Sequence, residues 1–258
     1  MPPRVNAVVN SHKILTLLSV QSEPMRVTEI AKATSISQSS CYNILKTLVE
    51  LRWATFHPSR KTYELGPGIL ELAKSGWSNS KITTIAQPVL SNLSATYRCQ
   101  SGLWELADGV RTLIQVAEND SIANLNLIKT GLVMPAGAGS AGKAFMVSHR
   151  HNKEKLQAEF KATDWRGKID FPQYCAEIER ARKNDFSIDR DSFFPGVTTV
   201  SSAFEDMDLG RQYCISVFLL SAAYPRKMLK SVGLKIADAK QIIRDAYLAD
   251  EQTPVHIP

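Results

Sequence analysis

Between residues 10 and 50 the apolar positions recur three and four apart in short runs. Ile14, Leu15, Leu17 and Leu18 share one helical face, and Pro24 ends that run. This predicts a first helix starting after Asn10 or Ser11 as its N-cap. Ile30 and Ala31 mark the inward face of a second helix, for which Thr28 is the expected cap. The turn-like Thr34-Ser35-Ile36-Ser37 follows, with Ser37 placed to cap a third helix. Cys41, Ile44, Leu45, Leu48 and Val49 form its inward stripe, and Gln38, Ser39, Ser40, Tyr42, Asn43 and Lys46 are polar positions away from that stripe. Thr55–His57 and Lys61–Leu65 then read as two short strands, with Pro58-Ser59-Arg60 turning between them and Arg60 and Lys61 at the tip.

Helix, tight turn, helix and basic hairpin is the layout of a winged helix-turn-helix. In such a unit the second helix of the motif enters a DNA major groove and the wing lies along the backbone. The polar positions of the third helix have the chemistry this requires. Gln38 and Asn43 can bind adenine bidentately, Ser39 and Ser40 can bond bases or phosphates, and Tyr42 and Lys46 can reach phosphates. Arg60 and Lys61 suit a phosphate or minor-groove contact. His57 is read as a polar strand residue rather than a ligand.

Gly66-Pro67-Gly68 breaks the pattern, and residues 69–77 read as a short linker helix before the polar Ser78-Asn79-Ser80. The expected organisation is a DNA-binding domain over 1–66, a linker helix over 67–81 and a second domain over 82–258. That second domain opens with a helix from Ile82 to about Tyr97, with Ile85, Val89, Leu90 and Leu93 on one face. Asp108-Gly109 between two apolar runs is a hairpin signal. Further strands are expected at 124–129, 186–189, 197–206 and 212–220. Helices are expected near 153–161 and 172–184 and from about Pro225 to Leu248. Strands bracketed by helices at both ends predict an α+β domain on an antiparallel sheet.

Composition adds a little. Apolar residues make up 44% and charged residues 22%, as in an ordinary globular protein. Residues 1–80 hold nine Lys/Arg and five Asp/Glu, so about a third of the chain carries two thirds of the net charge of +6. That asymmetry favours a polyanionic partner for the first domain. Cys41, Cys99, Cys175 and Cys214 are widely spread, which fits reduced thiols in a cytoplasm rather than a disulfide framework, and Cys175 and Cys214 read as buried small apolar residues. No apolar run follows a basic start, and no stretch of about 18 apolar residues exists, so neither a secretory signal nor a membrane span is expected.

Read in order, these residues resemble the isocitrate-lyase-regulator (IclR) family of bacterial transcription factors over nearly the whole chain. In the first domain the likeness rests on Ile30-Ala31-Lys32-Ala33, on Asn43 to Leu48, on Tyr63 to Pro67 and on Leu70 to Ala73. In the second it rests on Met134-Pro135, on Ser140 to Phe145, on Phe186 to Asp191 and on Pro195-Gly196-Val197. The resemblance implies a winged helix, a linker helix and a C-terminal effector-binding domain similar to GAF/PAS sensor folds. It also implies a homodimer or homotetramer, promoter operator DNA as partner and a small organic or aromatic acid as effector. By the same resemblance, Ser140 and Ala141 fall where backbone amides meet the effector. Asp189 matches an acidic position at a strand end, Val197 and Thr199 fall on the pocket wall, and Ser216 lies near a serine position of the last strand.

Four departures stand out. Arg190 interrupts the expected acidic run after Asp189, Asp185 replaces a glycine, Phe218-Leu219-Leu220 replaces a serine-rich strand end, and Gln38 and Asn43 stand where lysine and arginine are common. They imply a more apolar pocket and a helix that leans towards adenine edges.

Other site chemistry is weak. Gly137, Gly139, Gly142 and Lys143 do not have phosphate-loop spacing, because Ala144 follows the lysine. Either a backbone-amide cradle or close packing by small residues accounts for them. His149 and His151 are two apart, not four, and read as surface residues. No nucleophile elbow or carboxylate pair is seen, so no catalytic residue, metal or cofactor is expected. Two other readings of the residues stay open: a winged-helix protein whose second domain only dimerises, and a small-acid hydrolase carrying a winged-helix module.

Overall fold

The computed structural model describes residues 4–77, 80–118, 128–207 and 209–249. The chain divides into two compact units, residues 1–79 and 80–258.

In the first unit, α1 (Asn6–Val20), α2 (Val27–Thr34) and α3 (Gln38–Glu50) pack around Ile14, Leu18, Ile30, Ala31, Cys41, Leu45 and Leu48. A three-stranded antiparallel sheet of order β1 (Met25–Arg26), β3 (Thr62–Leu65), β2 (Ala54–His57) closes this core with Ala54 and Tyr63. α4 (Gly68–Trp77) follows.

The turn between α2 and α3 is fixed by backbone geometry. Ser35 is left-handed (φ 56°), its N–H donates to the Lys32 carbonyl (3.4 Å), and the Ile36 N–H donates to the Ala31 carbonyl (3.0 Å). This is a Schellman arrangement, and Ile36 turns inward to join the core. Ser37 then caps α3, its hydroxyl accepting from the Ser40 N–H at 3.2 Å. Ser37→Ala is expected to cost about 1 kcal/mol of unfolding free energy, the usual range for losing such a cap. A change below about 0.3 kcal/mol in urea titration would show that the Schellman turn alone sets the helix start.

Three expectations for this unit are corrected. α1 begins at Asn6, so Asn10 and Ser11 lie inside it, and the Ser11 hydroxyl donates back to the Ala7 carbonyl (2.8 Å). Thr28 does not cap α2. Glu29 does so from within the first turn, accepting from the Arg26 N–H (2.6 Å). Lys61 belongs to the wing turn, with φ 50°, and the strand begins at Thr62.

The second unit is α+β. Its sheet runs β6 (Val133–Met134), β5 (Val110–Ala117), β4 (Gln100–Ala107), β9 (Arg211–Leu220), β8 (Val197–Asp206), β7 (Ser187–Arg190), with every neighbouring pair antiparallel. Asp108 and Gly109 join β4 to β5 with both φ angles positive (51° and 77°), as a two-residue primed turn requires.

Strand periodicity sorts the two faces of this sheet. Ile215, Val217 and Leu219 of β9, with Leu103 and Val200, pack against α5 (Lys81–Tyr97) and α9 (Arg226–Ala249). Cys214 and Phe218 of β9, with Trp104 and Leu113, pack against α6 (Gly139–Phe145), α7 (Lys153–Ala162) and α8 (Phe171–Asn184).

Of the strand expected at 124–129, residues 124–127 lie outside the described residues, and Ile128 and Lys129 are not in a strand. Cys175 is half-buried rather than buried, and all four cysteines are free thiols. No helix among the described residues is long and apolar enough to cross a membrane.

Candidate functional site

In the first unit, α3 buries Cys41, Leu45 and Leu48 of its stripe, half-buries Ile44 and Val49, and leaves Gln38, Ser39, Ser40, Tyr42, Asn43 and Lys46 exposed. Ser40 shares its hydroxyl with Ser37 (2.8 Å), and Ser39 lies 3.3 Å from the same atom. No hydrogen bond or ion pair from another described residue occupies the side chains of Gln38, Tyr42, Asn43 or Lys46. Tyr42 stands 52% exposed, an aromatic ring left in solvent. Arg60 and Lys61 are likewise exposed at the wing tip. Nearby, Arg52 pairs with Glu71 (2.8 Å), and His57 Nε2 lies 3.0 Å from Glu64. No cluster of three or more potential metal ligands occurs among the described residues.

In the second unit, α6 is buried along its whole length against the face of the sheet that carries Cys214 and Phe218. β8 and β9 present Thr199, Ser201 and Ser216 on that face, and Ser140 of α6 meets them. Its hydroxyl lies 2.7 Å from Thr199 Oγ1 and 2.6 Å from Ser201 Oγ, which is 2.7 Å from Ser216 Oγ. Beside this hydroxyl cluster lies a cavity of about 20 Å³. It is lined by Trp104, Arg111, Met134, Ala138, Gly139, Ser140, Ala141, Phe193, Phe194, Thr199, Ser216 and Phe218. Cys214 is buried nearby in the same layer, where desolvation pushes its thiol up to about 12 and leaves it inert.

Of the residues the sequence placed at the effector, Ser140, Ala141, Thr199 and Ser216 line this cavity. Val197 is packed into the apolar layer and does not line it. Asp189 is also elsewhere. Its Oδ1 accepts from Lys143 Nζ (2.6 Å) and its Oδ2 from the Phe193 N–H (3.0 Å), so both oxygens are committed inside the protein. Lys143 makes a second ion pair with Glu177 (2.6 Å). Arg190, which interrupts the acidic run, is a tie: it donates to the carbonyls of Tyr224 (2.7 Å) and Ser221 (2.9 Å).

Sequence reasoning missed Trp104, Arg111, Phe193 and Phe194. For Arg111 a signal existed. It shares the strand phase of the core residue Leu113, so an alternating strand places its guanidinium inside.

A model of the IclR helix-turn-helix domain matches residues 7–58. An IclR transcriptional regulator from Alicyclobacillus acidocaldarius is similar in structure, with a TM-score of 0.76 at 18% identity over 96% of this chain and 98% of that one. The Thermotoga maritima IclR gives 0.69 at 18% identity, over 95% and 100% of the two chains. An IclR homolog from Microbacterium hydrocarbonoxydans, complexed with 4-hydroxybenzoate, gives 0.76 at 12% identity over 94% and 99%. No curated protein matches the chain. At these identities the structural likeness is one of fold, and the helix-turn-helix match is what adds function to it. An IclR helix-turn-helix domain thus matches residues 7–58, and the chain has the fold of the solved IclR regulators over nearly its whole length.

Proposed function

We propose that the chain is an IclR-type transcriptional regulator that binds operator DNA through α3 and the wing, and that a small organic or aromatic acid in the cavity of the second unit controls that binding. The observation that carries the DNA reading is the exposed set Gln38, Tyr42, Asn43 and Lys46, with Arg60 and Lys61. These six side chains have hydrogen-bonding or charged groups and no partner for them among the described residues. Gln38 and Asn43 match adenine edges in the major groove, with Ser39 and Ser40 beside them, while Lys46, Arg60 and Lys61 match phosphates. For the effector, support comes from hydroxyls facing aromatic walls around the cavity, a pattern that fits a small ring-bearing molecule with polar substituents. The structural neighbour that holds 4-hydroxybenzoate points the same way.

A homodimer or homotetramer follows from this reading, because one α3 covers only a half-site. Two copies set about 34–36 Å apart read successive turns of the groove. An acid that binds one arrangement of the assembly better than another then changes operator affinity, by no more than its preference between the two.

The test uses a duplex selected by the full-length protein from a random pool. Asn43→Ala is expected to weaken binding to it by about 1–3 kcal/mol, the value of a good bidentate base contact, while binding to a scrambled duplex stays nearly unchanged. Equal losses on both duplexes, read by fluorescence anisotropy, would make Asn43 a phosphate contact and remove the adenine reading.

A further inference from the structure

Among the described residues of the second unit three cations are buried, and two of them are neutralised. Lys143 lies between Asp189 and Glu177, and Lys240 donates to Asp185 (2.7 Å). Arg111, only 1% exposed, has no carboxylate partner among the described residues. Its Nη1 donates to the Ala138 carbonyl (2.6 Å), its guanidinium lies 4.8 Å from the centre of the Trp104 ring, and its Nε is buried with no acceptor. Glu159, the acid whose charge acts on it, is committed to Lys155 (2.7 Å) and to the Gly137 N–H (3.2 Å). Burial holds the guanidinium down to about 10, which still leaves it charged at neutral pH. A buried charge without a counter-charge is strongly unfavourable, and a guanidinium offers a planar fork of five donors suited to a carboxylate. Arg111 is among the residues that line the cavity.

We propose that Arg111 is the docking group for the carboxylate of a ligand, and that the cavity selects aromatic monocarboxylates. This rests on the effector-pocket reading above and names its chemistry. With the carboxylate on Arg111, the ring of the ligand meets Trp104, Phe218, Phe193 and Phe194, and a ring hydroxyl meets Ser140, Thr199 or Ser216. Among the described residues Arg111 is the one cation lining this cavity, so a second carboxylate would be buried against aromatic walls without a partner. At about 20 Å³ the cavity has room for roughly one water, so the ligand displaces part of its wall. Phe193 and Phe194 lie on the bend between β7 and β8, outside helix and strand, while Trp104 and Phe218 are fixed in the sheet.

The test compares wild type with Arg111→Met in the full chain by thermal unfolding and calorimetric titration, using benzoate, 4-hydroxybenzoate, the neutral benzamide and the dicarboxylate terephthalate. Without ligand, Arg111→Met is expected to melt no lower than wild type, because it removes a lone buried charge. The Ala138 carbonyl still accepts from the Gly142 N–H (3.0 Å). At least one of the two monocarboxylates is expected to raise the wild-type melting temperature, benzamide and terephthalate are not, and Arg111→Met is expected to weaken that acid by about ten- to a hundredfold. A ligand-free variant melting several degrees below wild type would make Arg111 a structural residue and overturn the proposal. An acid shift that survives in Arg111→Met would overturn the docking role and leave acid sensing intact. If neither monocarboxylate shifts the wild type, or if benzamide or terephthalate matches it, the proposed ligand class is wrong, while the DNA reading stands on its own anisotropy test.

Discussion

Lys143→Met is expected to lower the stability of the second unit by about 3–5 kcal/mol, the range for breaking a buried ion pair from one side. Lys143 is fully buried, with its ammonium 2.6 Å from both Asp189 Oδ1 and Glu177 Oε2 and 5.6 Å from the centre of the Trp165 ring. Removing the ammonium leaves the Asp189 carboxylate, 2% exposed, with a single described donor, the Phe193 N–H. It also frees Glu177 of α8 from α6. Methionine fills the space of the lysine stem, so the loss reports charge rather than a cavity. The double variant Lys143→Met with Asp189→Asn is expected to recover part of the loss, because both members of the buried pair are then neutral. Urea titration of the full chain, followed by an optical probe of the second unit, measures both. A single-variant loss below about 1 kcal/mol is what a solvent-screened surface pair gives, and would mean that the triad is not closed to water.

Gly142→Ala is expected to cost about 3 kcal/mol or more, at the upper end of overpacking penalties. A Cβ at this position would lie 2.1 Å from the Gly137 carbonyl carbon and 2.4 Å from its oxygen, so backbone rather than a flexible side chain must move. The Gly142 N–H makes the first i→i−4 bond of α6, to the carbonyl of its N-cap Ala138. The glycine therefore serves close approach of α6 to the segment before it. A thermal scan showing stability within about 0.5 kcal/mol of wild type would mean that the 137–142 segment yields easily, and this account of the glycine would fall.

What the sequence disclosed was local. The stripe of α3, the Ser37 cap, the Asp108-Gly109 turn and the span of α9 each depend on residues within a few positions of one another, and each appears as expected. Helix starts were less legible. Asn10 and Ser11 have cap chemistry, but nothing forces the helix to begin there, and it runs on to Asn6. The candidate effector site was legible only in part, because its decisive contacts span the chain. Asp189 looks like a free acid until Lys143, 46 residues earlier, is seen beside it. Arg111 looks like a surface strand residue until its phase is matched to that of Leu113. Phe193 and Phe194 sit in an irregular bend where periodicity carries no information. Asp185, at the position expected for glycine, adopts φ 60° as the last turn of α8 ends, a conformation aspartate tolerates better than most residues.

Trp104 is held by β4 as part of the cavity wall, beneath the Arg111 guanidinium, with its indole N–H buried and unbonded to any described residue. Any molecule that fills the cavity changes the polarity and the quenching groups around that ring. The protein thus carries an intrinsic fluorophore in the wall of the proposed ligand cavity. Trp53 belongs to the other unit, and Trp165 does not line the cavity although its ring meets Phe193 edge-on at 6.1 Å, so phenylalanine at positions 53, 77 and 165 would leave an emission spectrum that comes from Trp104 alone.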